Sequence, residues 1–394
     1  MKSGNGLLAM GVAAVAVLAV VGGGAVASRR SPTTSGTSAA PLAAGSTPKP
    51  SATPSSTPTP TPTPAPATPS KKPVLVPTVQ VDLAKLTPGR APQVAYVSGR
   101  VIKGGLGEDL TVPGKQQILR AVKYAGDALV ILEVGMGGSE LASVGYQGLG
   151  PERIADVASL VTSVNEDVVA FATARSNSDH TRKKGNQVYW RKDGVDRKLQ
   201  RPDDWASTVL AVADDTVYFS SATDRDDQTA TLNAWDSGTG KVERLKSFRY
   251  PAGVDFQGTN GVDELEGSAQ TFCSAIRQLE NGKQLWRTCE YSLNGFTPDG
   301  RTVFGTPDFR SGGSDAFTVA IDSGTGSVKR QWTGPQFMGA TAEDDDHLLM
   351  VVDSGENTPS AIIRCSIASG ACELATKPVL PKKRDDLRLL GGWR

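Results

Sequence analysis

Histidine is almost missing from this chain: among 394 residues there are two, His180 and His347. Cysteine is scarce as well, with Cys273, Cys289, Cys365 and Cys372 all in the last third and none in a C-x-x-C pair. Zinc sites need such pairs or a histidine cluster, so no metal is expected. Neither sign of charge is in excess, since 42 Lys and Arg face 41 Asp and Glu in an interspersed pattern. That leaves no basic stripe for nucleic acid. There is no serine elbow, no cysteine nucleophile, and no strand–glycine loop–long helix of the kind that cradles phosphate. Helical periodicity is hard to find after residue 80.

What is present begins with one long hydrophobic run, "LLAMGVAAVAVLAVVGGGAVA" at 7–27, behind the single charge of Lys2. It reads as an export signal or an N-terminal membrane anchor. Ala25-Val26-Ala27 has the small-residue form of a cleavage site, yet the run is long enough to span a bilayer, and Lys2 against Arg29-Arg30 leaves its orientation open. Both fates, a secreted chain and an anchored one, put the rest outside the cytoplasm. Residues 28–79 are almost wholly Ser, Thr, Pro, Ala and Gly. In its closing part, "STPTPTPTPAPATPSKKP", proline at every second position removes amide donors and fixes φ, and the segment is expected to be a disordered, extended spacer with a reach on the order of 150 Å at ~3.1 Å per residue. The domains are therefore 1–27, a signal peptide or anchor; 28–79, the linker; and 80–394, the folded part.

From residue 80 onward short β-rich runs follow turn signals, as in "DALVILEV", "DVVAFATA", "TVYFSSA" and "HLLMVVD". The pentapeptide DSGTG occurs twice, at 236–240 and 322–326, and its last glycine belongs to a series. Gly107, Gly150, Gly194, Gly240, Gly282, Gly326 and Gly370 are separated by 43, 44, 46, 42, 44 and 44 residues. A period in the forties with four strands per unit predicts an all-β fold, a seven-bladed β-propeller of four-stranded antiparallel blades. Each glycine turns the hairpin between the third and fourth strands, where positive φ is needed. Asp236 and Asp322 then accept local amide hydrogen bonds. The first repeat starts late, at "QVAYVSGR", and "DDLRLLGGW" at the end is a surplus strand, so the C-terminal strand is expected to close the ring. The cysteines flank two of the turns, which pairs Cys273 with Cys289 and Cys365 with Cys372 as structural disulfides. The acidic run 343–346 reads as a turn with solvated charge.

With this repeat over residues 90–394, the chain resembles propellers of the WD-repeat and TolB-like class found on exported actinobacterial proteins. It departs from regular WD repeats, since Trp235-Asp236 is the one Trp-Asp pair and opens a turn. "AWDSGTGKVER" and "AIDSGTGSVKR" also resemble the A-x-D-x-x-T-G-x-x-x-W motif of quinoprotein propellers. The motif's tryptophan, which docks neighbouring blades, falls on Arg244 and Arg330; Trp332 comes two residues late and Trp286 lacks the Ala and Asp. That implies the turn without the lock, and no quinone or other cofactor is expected.

Chemistry is sought in the loops between second and third strands: 135–140, 174–186, 223–228, 307–315 and 353–360. Their candidate ligand-binding residues are Arg175, Asp179, His180, Arg182, Asp224, Arg225, Asp226, Asp227, Asp308, Arg310 and Glu356. No catalytic residue is assigned. A lone histidine among lysines and arginines is ordinarily exposed, and paired carboxylates make a glycosidase only when held across a substrate. The expectation is a monomeric, non-catalytic binding or scaffold propeller outside the membrane that recognises a protein, peptide or glycan of the cell envelope. The alternative is a propeller hydrolase or lyase acting on polysaccharide or a small ester.

Overall fold

The computed structural model describes residues 76–135, 137–177, 181–225, 230–266, 272–307, 315–355, 357–380 and 386–390. Among these the one helical element is a 3-10 turn, Leu83–Lys85; the rest is strand and connection. β1 (Thr78–Gln80) precedes that turn. Four-stranded antiparallel meanders then follow in chain order. The first contains β2 (Tyr96–Ser98), β3 (Val101–Lys103) and β4 (Leu110–Thr111). The second contains β5 (Ile118–Tyr124), β6 (Asp127–Val134), β7 (Gly138–Gly145) and β8 (Gly148–Ala155). The third has β9 (Val157–Thr162), β10 (Val168–Thr173), β11 (Asn186–Lys192) and β12 (Val195–Arg201). Next come β13 (Ala206–Ala213), β14 (Thr216–Ala222), β15 (Ala230–Asp236) and β16 (Val242–Leu245). They are followed by β17 (Pro251–Val254), β18 (Asn260–Glu266), β19 (Phe272–Gln278) and β20 (Gln284–Thr288). One longer sheet holds β21 (Tyr291–Phe296), β22 (Thr302–Pro307), β23 (Asp315–Asp322), β24 (Val328–Ala342), β25 (His347–Asp353), β26 (Ala361–Ser366) and β27 (Cys372–Leu374).

That longer sheet is two meanders joined by β24. Its first part pairs with β23 through Thr333, its second with β25 from Gln336 onward, and β1 adds in parallel to the first part. β28 (Leu387–Leu389) crosses the whole domain to pair with β2, Tyr96 opposite Leu389 and Ser98 opposite Leu387. The surplus C-terminal strand thus supplies the missing partner of the first repeat. Repeated four-stranded antiparallel meanders of this kind are the unit of a β-propeller.

Burial follows position in the meander. Inner strands lie between neighbouring sheets and are apolar on both faces, as in β10, VVAFAT, where all six residues are buried. Outer strands alternate, as in β12, VDRKLQR. The core therefore sits between consecutive sheets: Ala170, Val188 and Trp190 of one meet Val209, Phe219 and Trp235 of the next. At roughly 1.5–3 kcal/mol per fully buried large side chain, these seams carry most of the favourable burial.

The turn glycines have the expected role at six positions: Gly107, Gly194, Gly240, Gly282, Gly326 and Gly370 all have φ between 69° and 81°. The seventh expectation is corrected. Gly150 lies inside β8, and the turn of that meander is made by Tyr146 and Gln147 with Gly148 at φ 101°. Asp236 Oδ1 accepts from the amides of Gly238 and Thr239 at 2.8 and 2.9 Å, and Asp322 Oδ1 from that of Thr325 at 2.9 Å.

The missing lock is also corrected. Trp286 of β20 donates its indole N–H to Ser323 O in the next meander's DSGTG turn at 2.7 Å, and its ring covers Gly326 so closely that a Cβ there would stand 2.9 Å from it. Trp332 of β24, fully buried, donates to Gly370 O at 3.1 Å. Trp286, which has the motif's spacing without its Ala and Asp, and Trp332, which comes two residues late, thus both dock on the adjacent turn, because the outer strand places them over it. Both disulfides form, Cys273–Cys289 and Cys365–Cys372. Cys365 and Cys372 face each other in register, and a bulge between Ile276 and Arg277 absorbs the offset of the other pair.

The acidic run is not uniformly solvated. Glu343 is buried with Arg364, their side chains 0% and 3% exposed, and each supplies the opposite charge that burial of the other requires. Arg364 Nη2 donates to Glu343 Oε1 at 2.7 Å, and its Nε makes a second contact to the same carboxylate. Glu343 also accepts from Gln93 N at 2.7 Å and from Arg90 at 3.2 Å, while Arg364 bonds Arg90 O, Ala91 O and Glu373. The segment leading into β2 is thereby held by the last meander.

Candidate functional site

In every meander the first strand runs toward its turn into the second, so the loops between second and third strands lie at the opposite end. The strands that flank four of the five candidate loops end there; in the fifth, 135–140, β7 begins at Gly138. Loop 174–186 folds as a small hairpin with Ser176 paired to Arg182, and Arg175 N donates to Asn186 Oδ1 at 2.8 Å. Asp224 is partly buried and Arg225 exposed. Asp179, His180, Asp226, Asp227, Asp308, Arg310 and Glu356 lie outside the described residues.

A different place collects side chains from the whole domain. The cavity at the centre, about 240 Å³, is lined from β5, β9, β13, β21, the second half of β24 and β28, with Phe256 just after β17. These are the first strands of the successive meanders, so the cavity exists because the innermost strands face one another. Several of them are bulged: β5 between Ile118 and Arg120, β13 between Val209 and Ala211, β21 between Leu293 and Gly295, β24 between Phe337 and Gly339. A bulge sets two residues against one and re-aims their side chains. In β5 those two are Leu119, 38% exposed although it sits in an inner strand, and Arg120.

Arg120 is the cavity's distinctive group. Among the described residues its side chain has neither hydrogen bond nor ion pair, and burial followed by the nearby charge of Arg388 pushes its pKa down. Arg388 comes from the other end of the domain. It lies on β28 opposite Val97 and donates from Nη2 to Ile118 O, which brings it beside the β5 bulge.

The cavity's other charged groups are committed. Glu343 is tied to Arg364, Arg90 and Gln93 as above. Glu166 stands in a turn at φ 58°, its Oε2 accepts from Leu106 N at 2.7 Å, and burial raises its pKa against the pull of Leu106 N and Lys123. Lys123 is fully buried, donates to Glu108 O, and has its pKa lowered by burial against the attraction of Glu166 and Asp109. The one His–carboxylate contact among the described residues, His347 Nδ1 with Asp344 at 2.9 Å, is local to the turn before β25, and neither residue lines the cavity. No group of three or more His, Cys, Asp or Glu able to hold a metal occurs among the described residues. A second, more open groove of about 860 Å³ is edged by Arg244, Arg249, Arg277 and Arg287; Arg277 is paired with buried Asp263 at 2.9 Å. Among the described residues the central arrangement can hold an anion, and both carboxylates of its lining accept hydrogen bonds.

Arg120 and Arg388 were not among the sequence candidates. The signal for both was an arginine inside a short apolar strand, "QILRAVKY" and "DLRLL", each at a position that the repeat makes innermost.

No protein-family model and no curated protein matches the chain. Among solved structures it is similar to the β-propeller domain of the Trilobed protease from Pyrococcus furiosus, at 12% identity and TM-score 0.47 over 69% of this chain and 86% of that one. It is similar also to TolB from Acinetobacter baumannii, at 15% identity and TM-score 0.39 over 62% and 67%. An uncharacterized protein of Listeria monocytogenes EGD-e gives 8% identity and TM-score 0.44 over 78% and 86%. No helix among the described residues is long and apolar enough to cross a membrane; the hydrophobic run 7–27 lies outside them.

Proposed function

We propose that this chain is an exported, non-catalytic binding module, a seven-bladed propeller whose ring is completed by β28 and whose central cavity receives a component of the cell envelope. The observation that carries the reading is the chemistry of that cavity. Its uncommitted group is a cation, while both carboxylates and the lysine that line it are engaged in holding the fold. Hydrolysis or elimination needs an acid and a base free to act on substrate. Recognition needs only an oriented partner for the ligand. Two disulfides agree with folding in an oxidising compartment, and the N-terminal run with its Pro/Thr spacer suits delivery across or tethering to the membrane.

The test is a screen of the exported chain against peptidoglycan fragments, envelope glycans and envelope protein extracts, run beside assays for polysaccharide and ester cleavage. Saturable binding without turnover is the expected result; turnover of any of these substrates overturns the reading in favour of the hydrolase or lyase. Ring completion has its own test. Deleting residues 386–394 should lower the melting temperature by many degrees, and an unchanged melt would leave β28 without that role.

A further inference from the structure

We propose that the central cavity selects a small organic anion, a carboxylate or phosphate head on a short apolar body, with Arg120 as the anchor for the head. This deepens the binding-module reading and rests on it. A guanidinium presents five N–H donors in a planar fork that fits a carboxylate or phosphate with two parallel hydrogen bonds. A partly buried arginine with none of those donors used is costly to the fold, since buried charge is ordinarily paired. The bulge between Ile118 and Arg120 is the feature that aims it there.

Arg388, held in place by its bond to Ile118 O, adds a second positive charge beside it. Glu166 and Glu343, the carboxylates of the lining, already have partners, and neither bonds Arg120. The wall also carries the apolar side chains of Leu119, Val161, Phe296 and Leu389, beside the hydroxyls of Thr208 and Thr341. Those side chains suit a hydrocarbon or aryl body. At about 240 Å³ the cavity lies below the range of roughly 300–1,000 Å³ typical for drug-sized ligands, so the ligand is small.

Calorimetry on the exported chain with hexanoate, hexyl phosphate, hexanol and hexylamine tests this. The expected result is binding of one or both anions and of neither control, with the comparison of hexanoate and hexyl phosphate identifying the preferred head. R120M should weaken anion binding at least tenfold while leaving the melting temperature equal or higher, because it removes an unpaired charge; R120K should retain part of the affinity. A merely structural arginine would behave in the opposite way, with R120M melting lower and binding unchanged. Unchanged anion affinity in R120M, or equal binding of hexanol and hexanoate, overturns the proposal. Should the wild-type chain capture an envelope component in the screen yet bind neither anion, the anion site falls while the binding-module reading stands.

Discussion

The two DSGTG turns are identical in sequence and nearly identical in backbone, which makes them an internal control for the tryptophan lock. Gly240 has φ 75° and Gly326 φ 74°. A Cβ added at Gly240 meets nothing within 4 Å, whereas at Gly326 it would stand 2.9 and 3.0 Å from Trp286 Cδ2 and Cγ. The indole cannot slide away freely, because its N–H is bonded to Ser323 O at 2.7 Å. Gly240→Ala should therefore lose only the left-handed conformational preference, about 1–2 kcal/mol. Gly326→Ala carries the same loss plus the displacement of a packed ring and its hydrogen bond, about 1–3 kcal/mol more. At roughly 2 °C per kcal/mol for a domain of this size, the two variants should melt about 2–6 °C apart. Thermal unfolding followed by circular dichroism gives the comparison. A W286A background should make the two alanines equivalent, which is the double-mutant test of the contact. Equal melting temperatures for the single variants in the wild-type background would refute the lock.

Removing one partner of the buried Glu343–Arg364 pair should be severe: Glu343→Gln should cost about 3–5 kcal/mol in denaturant unfolding, and a loss under 1 kcal/mol would contradict the burial argument. The disulfides close 16- and 7-residue separations. Replacing each pair by serines should remove about 3 and about 2.4 kcal/mol respectively by chain entropy, and reductant should lower the melt of the wild type. Glu166 has a pKa raised by burial in the folded chain. Its protonated form favours folding, so its contribution is complete below the ordinary glutamate pKa of about 4.3 and is lost as pH rises through the raised value. Relative to Glu166→Gln, the wild type should lose stability over that interval; parallel stability–pH curves for the two proteins would count against a raised value.

Much of the fold was legible because the repeat is written in backbone requirements. A turn that needs positive φ selects glycine whatever surrounds it, so Gly194, Gly240, Gly282, Gly326 and Gly370 could be counted without knowing what they touch. Gly150 misled because Gly148, two residues earlier, serves the same purpose and the spacing tolerates either. Less legible were contacts between meanders, which depend on where an outer strand carries a side chain. Trp286 lacks the motif's Ala and Asp and Trp332 breaks its spacing, yet both reach the next turn. Glu343 is one of four consecutive acidic residues, and only the fold reveals that Arg364, 21 positions on, draws it inside. The loop candidates at one end rested on length and polarity alone, which solvated loops share with binding loops.

The central site was hidden for a related reason. A propeller repeat makes its units alike, so whatever is particular to one protein must come from departures: a bulge that turns out one arginine, and an end of the chain that does not repeat. Arg120 and Arg388 are 268 positions apart and become neighbours only when β28 lies against β2. The strand that finishes the first meander is thus the strand that finishes the cavity. An anion that bridges the two arginines would have no comparable site in the unfolded chain, and by linkage it would hold the C-terminal strand in place as it binds. Anion binding and the pairing of β28 with β2 would then strengthen together.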